Sequence, residues 1–179
     1  MRTVSRRDVL GLGAGLLTSG CGYALAGRGN SLPASIVSIG VPDFVNQSTT
    51  PDIDRVLTEA VRAEFQTKGR YRILSDATGV DGLLVGRVLN VVLQPSAFTA
   101  QNQVSRNLII ATASIEFTEV AASRVIWANP SFQVRDEFDV TTGQSANDPS
   151  ALFAQDANAL DRLARSFARS VVTSIFEAF

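Results

Sequence analysis

"RNLIIATASIEFTEV", Arg106 to Val120, is joined by "AAS" to "RVIWANPSFQVRDEFDV", Arg124 to Val140. This pair of runs decides the fold. In the first, Ile109, Ala111, Ala113, Ile115 and Phe117 alternate with Thr112, Ser114, Glu116 and Thr118. Successive side chains of a strand point to opposite faces, so a period of two means one dry face and one wet face. The short joint predicts an antiparallel return. In the second run Phe132, Val134, Phe138 and Val140 share a face, interrupted by Asp136. Pro130 has no N–H to give a ladder, which predicts a bulge or an edge at that point.

Upstream, "DGLLVGRVLNVVLQ", Asp81 to Gln94, reads as another long strand, with Leu83, Val85, Leu89, Val91 and Leu93 on one face and Arg87 among them. "PSAFTAQNQVS", Pro95 to Ser105, is polar and reads as a loop. "RYRIL", Arg70 to Leu74, is a short strand edge, and "SIVSIGV", Ser35 to Val41, alternates and is β-branched. Between these last two lies the clearest helix. Thr50 suits the cap, Pro51 the first position, and Asp52 and Asp54 the positive end of the dipole. Ile53, Val56, Leu57, Ala60, Val61, Glu64 and Phe65 follow helical spacing, and Lys68 and Gly69 stop it.

Asp148 and Pro149 open a last helix with an inner stripe of Leu152, Phe153, Leu160, Leu163, Ala164, Phe167, Val171 and Ile175. Arg162, Arg165 and Arg169 lie off the stripe, and Asp161 with Arg165 is an i,i+4 pair. The fold class is α+β: two helices on one face of a mainly antiparallel four-stranded sheet, in the order β-α-β-β-β-α.

Composition narrows the chemistry. The chain of 179 residues carries 16 basic and 17 acidic residues, so no nucleic-acid partner is expected. It has no histidine and one cysteine, which removes the commonest general base, the commonest metal ligand and any internal disulfide. No phosphate-binding loop, nucleophile elbow or metal-ligand cluster is present, so we expect no enzyme, no cofactor and no metal. The acidic stretch Arg135 to Asp139 is a strand end, because Asp136 and Glu137 point to opposite faces.

The single cysteine has a telling position. Arg2, Arg6 and Arg7 form a positive segment, Val9 to Leu17 an apolar one, and Thr18, Ser19 and Gly20 lead into Cys21. The apolar run suits a signal peptide and is too short to span a bilayer. A cysteine directly after the small residues resembles the lipobox of bacterial lipoproteins, whose thiol is acylated as the signal is cut. "SRRDVL", Ser5 to Leu10, is similar to a twin-arginine export signal. Gly22, in place of an aspartate, is compatible with transfer to the outer membrane. The expected organisation is signal peptide 1–20, lipidated tether 21–33 and domain 34–179.

With these elements in place, the chain resembles the LptE family of lipopolysaccharide-assembly lipoproteins. "CGYALAG" at Cys21, "LPASIVSIGVPDFVNQST" at Leu32, "DIDRVLTEAVRAEF" at Asp52, "VIWANPSF" at Val125 and "NALDRLARSFARSVVTSIFEAF" at Asn158 carry the resemblance. It implies a lipid-anchored protein of the outer membrane that plugs an LptD-like β-barrel, helps the barrel fold and contacts lipopolysaccharide. The competing reading is a lipoprotein activator of a periplasmic peptidoglycan synthase. If lipid A phosphates are recognised, arginine is the residue that grips them bidentately. The strands offer Arg106, Arg124, Arg87 and Arg135, with Arg106 preferred because it follows a long polar loop.

Overall fold

The computed structural model describes residues 32–139 and 157–178. The signal segment, Cys21, the tether up to residue 31, and Asp148, Pro149, Leu152 and Phe153 lie outside these residues. The described elements are β1 (Ser38–Gly40), β2 (Val45–Asn46), α1 (Ile53–Thr67), β3 (Arg72–Leu74), β4 (Gly82–Phe98), β5 (Val104–Glu119), β6 (Arg124–Asp139) and α2 (Ala157–Glu177).

The sheet has six strands rather than four, and it is mixed. Its order is β3-β1-β4-β5-β6, with β2 also beside β4. β4, β5 and β6 are antiparallel, as expected. β1 runs parallel to both β3 and β4, and β2 runs parallel to β4. The reason is α1. A helix between β1 and β3 returns the chain to the end it started from, so the next strand pairs in parallel. β1 and β2 form one interrupted strand along β4: Ile39 lies beside Gly82, and Val45 beside Arg87.

The interruption places Phe44 in the core. Its ring occupies the space where a Cβ on Gly86 would sit, about 2.8 Å from that position. Phe44 then meets Phe167 of α2 edge-on, and Phe167 meets Phe132 of β6 in the same way. Both helices lie on this one face of the sheet, where Leu57, Val61 and Phe65 of α1 join Leu163, Val171 and Ile175 of α2 in a single apolar core.

Two strand readings need correction. In β4 the core side chains are Leu84 and Val88, then Val91 and Leu93, whereas Val85 and Arg87 are exposed. Leu89 is a bulge: Val88 pairs with Ala113 and Asn90 with Thr112. One extra residue flips the alternation, so the sequence face was right only after the bulge. The predicted loop from Pro95 is also shorter, because pairing continues to Phe98 opposite Val104. In β6 the expectation at Pro130 holds twice. β6 is an edge strand, and Pro130 and Ser131 together oppose Ser114.

The start of α1 also differs. Asp52, not Thr50, precedes the helix, in the left-handed region at φ 58 and with no side-chain cap. Asp tolerates that conformation better than most residues. Asn46 shapes the approach instead: its amide donates to the Thr50 carbonyl, and its oxygen accepts from the Ser48 N–H and hydroxyl. The helix stop is as expected, with Gly69 at φ 66 donating its N–H to Gln66 O. Leu32, assigned by sequence to the tether, is buried, and its N–H donates to the Tyr71 hydroxyl.

Candidate functional site

The sheet face away from the helices carries no covering layer among the described residues. The even-numbered residues of β5 lie on it, because the odd ones from Ile109 to Phe117 are buried. Register then assigns the neighbours. Arg87 lies beside Ser114, Val85 beside Glu116, Arg135 beside Ile110, and Arg106 beside Asp139. Arg87, Arg106 and Arg135 therefore share the bare face. Arg124 does not: it pairs with Glu119, an odd-numbered residue that is itself buried. Arg106, beside Asp139, and Arg124, beside Glu119, stand at opposite ends of the β5–β6 pair.

The four guanidinium groups have different surroundings. Arg106 lies between two carboxylates, 3.1 Å from Asp139 and 3.7 Å from Glu137. Arg124 grips Glu119 with Nε and a terminal nitrogen, at 3.3 and 2.9 Å. Glu119 also accepts the Ser35 hydroxyl at 2.7 Å. The Ser35 hydrogen bond first, and Arg124 second, hold the Glu119 carboxyl below its ordinary range. Arg135 reaches only the Gln133 oxygen, at 3.3 Å. Arg87 makes no hydrogen bond or ion pair among the described residues. The partners of Arg106 come from 33 residues away or nearly so, and sequence alone gave no register from which to find them.

Arg87 also lines a groove of about 320 Å3 with Pro42, Val45, Val85, Ser114 and Glu116. The groove exists because β1 breaks before β2: the chain dips towards the core at Phe44 and returns at Val45. Its wall is fixed by Arg62 of α1, which donates to the Val41 carbonyl at 2.8 Å and to Asp43 at 2.9 Å. The result is an open arginine beside exposed valines, with the Asp43 and Glu116 carboxylates also on the lining. Asp136, which interrupts the apolar face of β6, pairs with Arg162 of α2 at 3.5 Å. It closes the seam between strand and helix and takes no part in this groove. Among the described residues, no group of three or more acidic, His or Cys side chains is arranged to hold a metal ion. No described helix is long and apolar enough to cross a membrane.

Several solved structures are similar in fold. One is a putative lipoprotein from Caulobacter crescentus, 12% identical over 75% of this chain and 88% of that one, with a TM-score of 0.46. Another is the rare lipoprotein B of Shewanella oneidensis, 14% identical over 75% and 93%, with a TM-score of 0.43. A minor lipoprotein of Acinetobacter baumannii is 11% identical over 76% and 94%, with a TM-score of 0.43. No curated protein matches the sequence. Residues 36–175 match the LptE family, described as lipopolysaccharide-assembly. That span begins two residues before β1 and ends in the last turn of α2, so it takes in the strands and helices that build the core and the bare face. The chain belongs to the LptE family of outer-membrane lipoproteins that serve lipopolysaccharide assembly.

Proposed function

We propose that this chain is anchored to the outer membrane through acylated Cys21, seats inside an LptD-like β-barrel and contacts lipopolysaccharide with the bare face of its sheet. The observation that carries the reading is that face itself. It leaves Thr112, Ser114, Glu116, Gln133 and Arg135 open to the surroundings, beside a groove with an unpaired arginine. The lumen of such a barrel is polar, so a plug needs a polar flank that is already folded. An anion-recognising arginine must not be neutralised by its own protein. By that criterion Arg87 is the strongest of the four candidates. Arg135 is second, Arg106 must leave two carboxylates to bind, and Arg124 is on the other face.

Co-purification from detergent-solubilised membranes tests the partner. Recovery of an LptD-like barrel supports the plug; recovery of a peptidoglycan synthase in its place refutes it. Cys21→Ala should release the chain from the detergent phase unless the barrel retains it. For lipopolysaccharide, Arg87→Asp should weaken binding more than Arg106→Asp at the same salt, with barrel association unchanged. Equal curves for Arg87→Asp and wild type would remove Arg87 from the site.

A further inference from the structure

The end of the domain where the chain enters from the tether has a composition of its own. The starts of β1, β3, β4 and β6 and the finish of β5 meet there: Ser38 lies beside Arg72, Ile39 beside Gly82, Gly82 beside Glu119, and Glu119 beside Arg124. Three of the exposed large apolar side chains gather at this end, Val37 at 61%, Val125 at 51% and Val120 at 42%. Arg70 and Arg72 stand among them, exposed, and neither side chain makes a hydrogen bond or a close ion pair among the described residues, although the charge of Arg72 is near enough to help hold Asp81 below its ordinary range. The two carboxylates nearby are occupied internally. Asp81 accepts from the Val37 N–H, the Ser38 N–H and the Ser38 hydroxyl, and Glu119 accepts from Ser35 and Arg124. A recess of about 300 Å3 opens between the entering chain and β3, lined by Leu32, Pro33, Val37, Arg70 and Tyr71.

Chain length fixes which end can meet a bilayer. From Cys21 to Leu32 is eleven peptide steps, which span at most about 40 Å. The tip of the β4–β5 hairpin at Phe98 is roughly 50 Å further along β4, at about 3.3 Å per residue. A lipid on Cys21 therefore keeps the entry end within reach of the membrane surface. Exposed valines beside open guanidinium groups are what an interface of acyl chains and anionic headgroups accepts.

We propose that this entry end is a second membrane contact, in which Arg70 and Arg72 bind the phosphates of anionic phospholipid headgroups and Val37, Val120 and Val125 rest at the interface. The proposal rests on the acylation of Cys21 for its geometry and adds a surface distinct from the Arg87 groove. The contact orients the domain: β4 and β5 then point away from the leaflet that holds the anchor.

The test uses the acylated chain in phosphatidylcholine vesicles with and without phosphatidylglycerol. A polarity-sensitive dye is placed at Val37→Cys or, separately, at Phe98→Cys; an acylated Cys21 takes no label. With anionic lipid, the dye at position 37 should shift to the blue and be quenched by lipid-borne quenchers, while the dye at position 98 stays aqueous. Arg70→Gln with Arg72→Gln should return position 37 to water while the protein stays on the vesicles. An aqueous signal at position 37 in anionic vesicles, or one indifferent to the double change or to anionic lipid, overturns the proposal. Failure of the acylation reading shows separately, as a free thiol and the missing acyl mass in the wild-type chain. In that event the unacylated chain is floated with the same vesicles. Salt-sensitive flotation, weakened on the order of tenfold or more by the double change, supports the contact, since each arginine near an anionic surface adds several-fold in affinity. No flotation overturns it.

Discussion

On the helix side of β5, Ile109, Ala111, Ala113, Ile115 and Phe117 are all closed to solvent. On the other side, one residue along in each case, Ile110, Thr112, Ser114, Glu116 and Thr118 remain partly or fully open. The two faces share one backbone and one set of ladder hydrogen bonds, so the ladder cannot account for their difference. Packing against α1 and α2 does. The stability of the domain is concentrated on one face, which leaves the other free to carry side chains chosen for what they contact.

That division predicts a steep asymmetry between substitutions. The largest effect is expected at Phe167, fully buried between Phe44 and Phe132. Phe167→Ala should cost about 3–5 kcal/mol in urea unfolding, because it removes the aromatic link between helix and both halves of the sheet. A cost near that of a surface change would mean that the two faces are not energetically distinct.

A smaller loss is expected at Thr58, a buried hydroxyl on α1 that donates to the Asp54 carbonyl at 2.6 Å and accepts the Phe44 N–H at 3.0 Å. Thr58→Val keeps the shape and leaves a buried N–H without an acceptor, at about 1–3 kcal/mol. Thr58→Ser should recover most of that loss. If Val and Ser behave alike, the hydroxyl contributes nothing to holding Phe44 over Gly86.

Acid sharpens the comparison at the entry end. Asp81 is held below its ordinary range by the Ser38 hydroxyl and then by the Ser38 and Val37 N–H groups, and Glu119 by Ser35 and Arg124. Their folded-state values are lowered, so their stabilisation is complete above the unfolded values, 3.8 for Asp and 4.5 for Glu. It is lost as the pH falls through the lowered folded values. The thermal midpoint should drop on acidification below that range, and Asp81→Asn with Glu119→Gln should flatten the drop. An unchanged acid limb would assign it to other carboxylates. The smallest effect belongs to the bare face, where Val85→Ala should change stability by about 0.5 kcal/mol or less.

Sequence reasoning reached these two faces unevenly. The alternation of β5 was legible because every odd residue meets the same core and no bulge intervenes between Ile109 and Phe117. In β4 the same reasoning failed at Leu89, because a bulge leaves no mark in composition. The short parallel strands β1, β2 and β3 were legible as strands only in part, and their direction not at all, since it follows from the path of α1. Among the arginines, sequence offered four on the long strands and ranked Arg106 first. What distinguishes Arg106 from Arg87 is the carboxylate pair opposite one and the groove beside the other. Both depend on register, which is a property of two strands and not of either alone.

The bulges of β6 have one more consequence. A strand of 16 residues at the margin of a sheet is a ready template on which another chain can add itself. Pro130 withholds a donor, and the extra residues Ile126 and Ser131 shift the line of free peptide groups. These features cut the margin into runs too short and too irregular to recruit a neighbour. Two copies brought edge to edge therefore find no long regular ladder to share.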